Sequence, residues 1–122
     1  MVKSSRELAI ALLNDGPGGR EAVRVHELED DESAHDNDRI EELYREFGKD
    51  FDRVQMELSR EYGQPSRTGI GDDDDIPLNG VFRYAIWNVG QLMLYVGAAH
   101  EDRGAPILLM VGIADHFQAK RN

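Results

Sequence analysis

The chain has no cysteine among its 122 residues, which excludes disulfides, thiolate metal sites and cysteine nucleophiles. Nothing therefore points to an oxidising compartment, and a cytoplasmic location is the expectation. Basic residues are the next scarcity: 14 Lys and Arg stand against 24 Asp and Glu, a formal net charge of -10. That balance repels nucleic-acid phosphates and anionic membranes and raises the encounter rate with basic surfaces. No apolar run approaches the roughly 20 residues that cross a bilayer, because Gly90, Gly97 and the charged stretch 100–104 divide the longest one. The basic start Met1 to Arg6 and the apolar run Leu8 to Leu13 lead to Asn14-Asp15-Gly16 without a cleavage pattern, so no signal peptide is read. The expectation is one soluble domain, 1–122, with no nucleic-acid or membrane partner.

What is present organises itself into an α+β pattern. Ser4 and Glu7 have capping-box spacing, and Leu8, Ala9, Ala11, Leu12 and Leu13 share a face before Asn14 to Gly19 stop the helix, which predicts a helix over 5–14. Residues 22–28 mix apolar and charged side chains so evenly that an edge strand or a helical turn both fit. The acidic stretch 29–37 repels itself and reads as an exposed loop. From Asp38 the pattern sharpens: Ile40, Leu43, Tyr44, Phe47, Phe51, Val54, Leu58 and Tyr62 recur every three or four residues, predicting a long amphipathic helix over 38–62 ended by Gly63-Gln64-Pro65.

Ser66 to Asn79, with Gly69, Gly71, Asp72 to Asp75 and Pro77, resists both regular periods and reads as a connecting loop. Three apolar and β-branched runs follow, 81–87, 92–96 and 107–111. They are separated by Asn88-Val89-Gly90-Gln91 and by His100-Glu101-Asp102-Arg103-Gly104. A three-stranded antiparallel meander over 80–113 is predicted, with a possible fourth, edge strand at 22–28 and the long helix across one face. Its second and third strands are apolar on both sides, so the other face needs a cover: the first helix, the segment 114–120, or a second subunit. The central contacts are expected to join Phe47, Phe51, Val54 and Leu58 to Ile86, Leu94, Val96 and Leu109.

Residues able to do chemistry are few and scattered. His100-Glu101-Asp102 with Asp115-His116 are the densest set of potential metal ligands, but neither HExxH nor paired-histidine spacing appears, and a polar turn explains 100–104 equally. Asp72, Asp73, Asp74 and Asp75 offer oxygens for a hard cation without the alternation of an EF-hand loop, which favours solvated charge. Gly16 to Gly19 and Gly69 to Gly71 lack the strand, helix and lysine of a phosphate cradle and read as turns. No serine or threonine stands in a nucleophile motif, and His26, His35, His100 and His116 lie in charged surroundings. Trp87, beside the predicted hairpin turn with Tyr84 and Tyr95 on neighbouring strands, fits either a core filler or an interface anchor.

A helix ending in Tyr62-Gly63-Gln64-Pro65, then a loop and a meander carrying Trp87, Leu92-Met93-Leu94-Tyr95 and His100-Glu101-Asp102, resembles small acidic bacterial proteins of uncharacterised or toxin-immunity type. The element order with acidic charge also resembles dimeric type III secretion chaperones. The first resemblance implies no particular residue role; negative charge without a catalytic signature points to a noncatalytic protein-binding module without cofactor or metal that masks a basic partner surface, with Asp72, Asp73, Asp74, Asp75, Trp87, Glu101 and Asp102 as its candidate contacts. The second implies a homodimeric adaptor using the apolar second sheet face. From a different class, a metal-dependent hydrolase would draw on His100, Glu101, Asp102 and His116.

Overall fold

The first helix starts where the capping spacing requires, with Ser4 Oγ accepting a hydrogen bond from the Glu7 amide at 3.2 Å. The computed structural model describes residues 4–28, 37–102 and 105–115. Within them the order is α1 (Ser5–Asp15), β1 (Arg20–His26), α2 (Asn37–Tyr62), β2 (Arg67–Gly69), β3 (Val81–Val89), β4 (Leu92–His100) and β5 (Ile107–Asp115). Of the expected loop at 29–37, Asn37 instead opens α2, and residues 29–36, like the segment beyond Asp115, lie outside the described residues, His35 and His116 with them. α2 closes as its sequence implies, the Gly63 amide donating to the Ser59 carbonyl at 2.9 Å.

The sheet is fully antiparallel with five strands in the order β1-β5-β4-β3-β2. It has more strands than the three to four expected. β1 is an edge strand paired with β5 through a bulge between Ala22 and Arg24, which explains why its apolar residues keep no clean alternation. β2 was hidden in the segment read as a loop. It is three residues long and pairs with the middle of β3, Thr68 opposite Ala85. The β3–β4 hairpin turns on Gly90 and Gln91, with Gly90 at φ +64° supplying the left-handed residue that a two-residue connection needs.

Period-two alternation then sorts the side chains. Ala85, Trp87, Leu94, Val96, Ala98, Ile107, Leu109, Val111 and Ile113 face both helices, packing with Leu8, Leu12, Leu43, Phe47, Phe51, Val54 and Leu58. Each such fully buried large side chain contributes about 1.5–3 kcal/mol before entropy is counted. The expected partners Leu94, Val96 and Leu109 are there, but Ile86 is not: one position from Ala85 and Trp87, it points to the opposite face with Tyr84, Met93 and Tyr95. α1 shares the face of α2 and so does not cover the second face. That cover is the 70–80 connection, through Ile76 and Leu78.

Candidate functional site

The four successive aspartates sit in the connection that crosses the second sheet face, and most of them are used to hold it there. Asp72 Oδ1 accepts the Val81 amide at 2.9 Å. Asp73 Oδ1 accepts the Asp75 amide at 2.9 Å and Arg67 Nη2 at 2.7 Å, and Asp75 Oδ2 accepts the same guanidinium nitrogen at 2.7 Å. Arg67, itself exposed, thus bridges Asp73 and Asp75 and offsets part of the run's charge, while Asp74 is left exposed. Burial alone would push Asp73 up, but the Asp75 amide, the Tyr84 hydroxyl and Arg67 together take its carboxyl below the ordinary value. The hydrogen bond to Asp75, against a smaller cost of burial, raises Arg67 further into its cationic range.

The end of this connection is fastened to the end of β4. The Gly80 carbonyl accepts the His100 amide at 2.9 Å, and Asn79 Nδ2 donates to Glu101 Oε1 at 3.4 Å. The approach is close enough that a Cβ on Gly80, which stands at φ +72°, would overlap the His100 carbonyl oxygen. Asp72, through Val81, and Glu101 are therefore brought to one corner of the sheet. Asp102 lies next to them, its carboxylate accepting the Ala105 amide at 3.1 Å.

Beside this corner a groove of about 390 Å³ opens on the second face. Ala99, Leu108 and Met110 lie along it, with Pro77, Leu78 and Pro106 bordering, and Arg20 and Glu101 bring opposite charges to it. Arg20 Nη1 donates to the Pro77 carbonyl at 3.3 Å, which ties β1 to the covering connection. Toward the β1 edge the same face remains open, and Val25 is 50% exposed.

His100 departs from its expected place in a polar turn. It is the last residue of β4, paired with Ile107, and so faces α2, where Tyr44 Oη and His100 Nδ1 stand 2.7 Å apart. Its Nε2 is buried without a well-formed hydrogen bond among the described residues. Burial is the main influence on its pKa, which lies below the ordinary value despite the Ala105 backbone and Asp102. His100, Glu101 and Asp102 consequently point to the helix, to Asn79 and to the turn amide, respectively. Among the described residues no group of three or more His, Cys, Asp or Glu gathers to hold a metal.

Trp87 leaves the interface candidates. It is 1% exposed, and its Nε1 donates to the Gly63 carbonyl at 2.9 Å, joining β3 to the end of α2. The sequence reading also missed Arg20, Arg67, Asn79 and the Leu108–Met110 floor. Only Arg67 carried a signal, being the sole cation close in sequence to a block of four carboxylates. No described helix is long and apolar enough to cross a membrane. Comparison with family models, curated proteins and solved structures finds no match to the chain.

Proposed function

We propose that the chain is a noncatalytic protein-binding module that masks a basic surface of another protein, in the manner of a toxin-immunity protein. What supports the reading is one juxtaposition: the Gly80–His100 hydrogen bond sets Glu101 and Asp102 beside the end of the aspartate connection, with Glu101 on the wall of a largely apolar groove. Exposed Asp72, Asp74, Glu101 and Asp102 attract cationic side chains, while Leu108 and Met110 receive the apolar residues between them. With Trp87 buried, the anchor of the interface is supplied by the partner.

A peptide alternating lysine and leucine tests this directly. Its titration should move amide resonances of 72–80 and 99–102, with affinity falling steeply as salt rises. Equal binding of a glutamate-for-lysine counterpart, or shifts confined to the outer face of α2, would sink the reading.

A second reading, a homodimeric adaptor, draws on the open half of the second face at Val25, Leu108 and Met110. Sedimentation should then show a dimer that Met110→Lys dissociates, and a monomer across the accessible concentrations removes it.

A further inference from the structure

We infer that Asn79-Gly80 is a self-modification site, where the chain converts its own asparagine to aspartate and isoaspartate and thereby releases the fastening between the aspartate connection and β4. The inference stands apart from the binding proposal. Asparagine is a chemically labile residue, and its side-chain carbonyl is attacked most readily by the backbone nitrogen that follows when that residue is glycine, because no Cβ obstructs the approach. Asn79 is exposed, and among the described residues its side-chain amide is held only by the 3.4 Å contact to Glu101. Among the described residues the Gly80 amide donates no hydrogen bond, so its deprotonation breaks none.

The chemistry balances without any cofactor. The Gly80 nitrogen loses its proton and attacks Asn79 Cγ, a Gly80 N–Cγ bond forms, the Cγ–Nδ2 bond breaks and the side-chain nitrogen leaves as ammonia. Water then opens the five-membered imide. Cleavage of the Gly80 N–Cγ bond leaves aspartate with a normal backbone, and cleavage at the Asn79 main-chain carbonyl leaves isoaspartate, with one additional carbon in the backbone. The net change is water consumed and ammonia released.

The surroundings give this change a structural effect. A carboxylate at position 79 faces Glu101, replacing a hydrogen bond with like-charge repulsion. The isoaspartate product also lengthens the backbone next to Gly80, where the fit against the His100 carbonyl leaves no room even for a Cβ. Among the described residues the other exposed asparagines contrast with Asn79: Asn14 lies in the last turn of α1, and Asn88 lies in β3 before β-branched Val89.

The full chain is held folded at mildly alkaline pH, sampled over time, digested and weighed. The peptide bearing 79–80 should gain the mass of amide-to-acid conversion ahead of those bearing Asn14 and Asn88, with isoaspartate present and ammonia released. The intact protein should move one charge toward the acidic side on ion exchange. Asn79→Gln should abolish that early shift, because closure would then need a six-membered ring. Conversion at 79 no faster than at 14 or 88, or an unchanged shift in Asn79→Gln, overturns the assignment. Hydrogen exchange at the His100 amide reads the structural effect: protection is lost in the converted form, and retained protection would refute the release.

Discussion

Arg24 and Arg83 grip α2 from the two flanks of the sheet in the same manner. Arg24 Cζ lies 4.4 Å from the Phe47 ring centre while its Nη1 pairs with Asp50 at 2.6 Å. Arg83 Cζ lies 4.5 Å from the Phe51 ring centre while its Nη2 pairs with Asp52 at 2.7 Å. Each guanidinium thus covers an aromatic ring and pairs with a carboxylate of the same helix, one turn beyond the ring for Arg24 and at the next residue for Arg83. The two grips differ in solvation, since the Asp50 side chain is 27% exposed and that of Asp52 62%.

Arg24→Ala is accordingly expected to cost about 1–2 kcal/mol, and Arg83→Ala about 0.5–1 kcal/mol, because the more solvated pair contributes less. Urea unfolding measures both, and a larger loss from Arg83→Ala would contradict the ranking.

Trp87 is the chain's one tryptophan and is wholly inside it, so fluorescence reports the fold without labelling. Native emission should be blue-shifted and move to the red in the same urea transition that removes far-ultraviolet dichroism. Trp87→Phe should lower stability by about 1 kcal/mol for the lost bond to Gly63, with the vacated volume adding to this.

Gly48 interrupts an otherwise strong helix, yet a Cβ there would meet only Arg83 Nη1, at 3.7 Å, an ordinary contact. Gly48→Ala should therefore stabilise by about 0.5–1 kcal/mol and raise the urea midpoint. A destabilised variant would mean that the Arg83 grip is closer than described.

Arg67 is the counter-charge on which the aspartate connection depends. Arg67→Gln leaves Asp73 and Asp75 facing each other and should cost about 1 kcal/mol, part of it recovered at high salt as the repulsion is screened. Exchange at the Val81 amide should quicken with it, and unchanged exchange would speak against the tie.

Acid should loosen the fold in two stages whose sign follows from burial and pairing. His100 has a folded pKa below the ordinary 6.5, so the unfolded chain binds the proton more readily. Its contribution is complete above that value and lost as pH falls toward the folded one. Asp73, held below its ordinary 3.8, adds a second loss at lower pH in the same direction. His100→Asn should flatten the upper stage of a melting-temperature profile and leave the lower one. Tyr44→Phe should destabilise at neutral pH, because it strips His100 Nδ1 of its hydroxyl partner.

Both helices and the meander were legible because their periods are strong: the 3.6-residue repeat from Ile40 to Tyr62 and the turn at Gly90 leave little choice. β1 blurred because its bulge breaks alternation between Ala22 and Arg24, and β2 because three residues are too few to display a period. Ile86 was assigned to the wrong face for a related reason. In a strand buried on both sides, hydropathy alone does not say which parity meets the helix. At the candidate site, Glu101 and the aspartates were visible as charge, but their meeting depends on the Gly80–His100 bond, a backbone contact that no local pattern encodes. Trp87 fitted two roles in the sequence, and only the position of the Gly63 carbonyl assigns it to the interior.

The order of the strands carries a consequence for synthesis. Among the described strands, β1 precedes all the others in sequence, but its neighbour in the sheet is β5, which follows all the others. The nascent segment must wait, with its backbone hydrogen-bonding groups unsatisfied by any ladder, while α2 and the β3–β4 hairpin assemble from local contacts. Its arginines, glutamate and bulge then act as a guard against premature pairing with other emerging chains, a burden that rests on charge and twist until β5 is made.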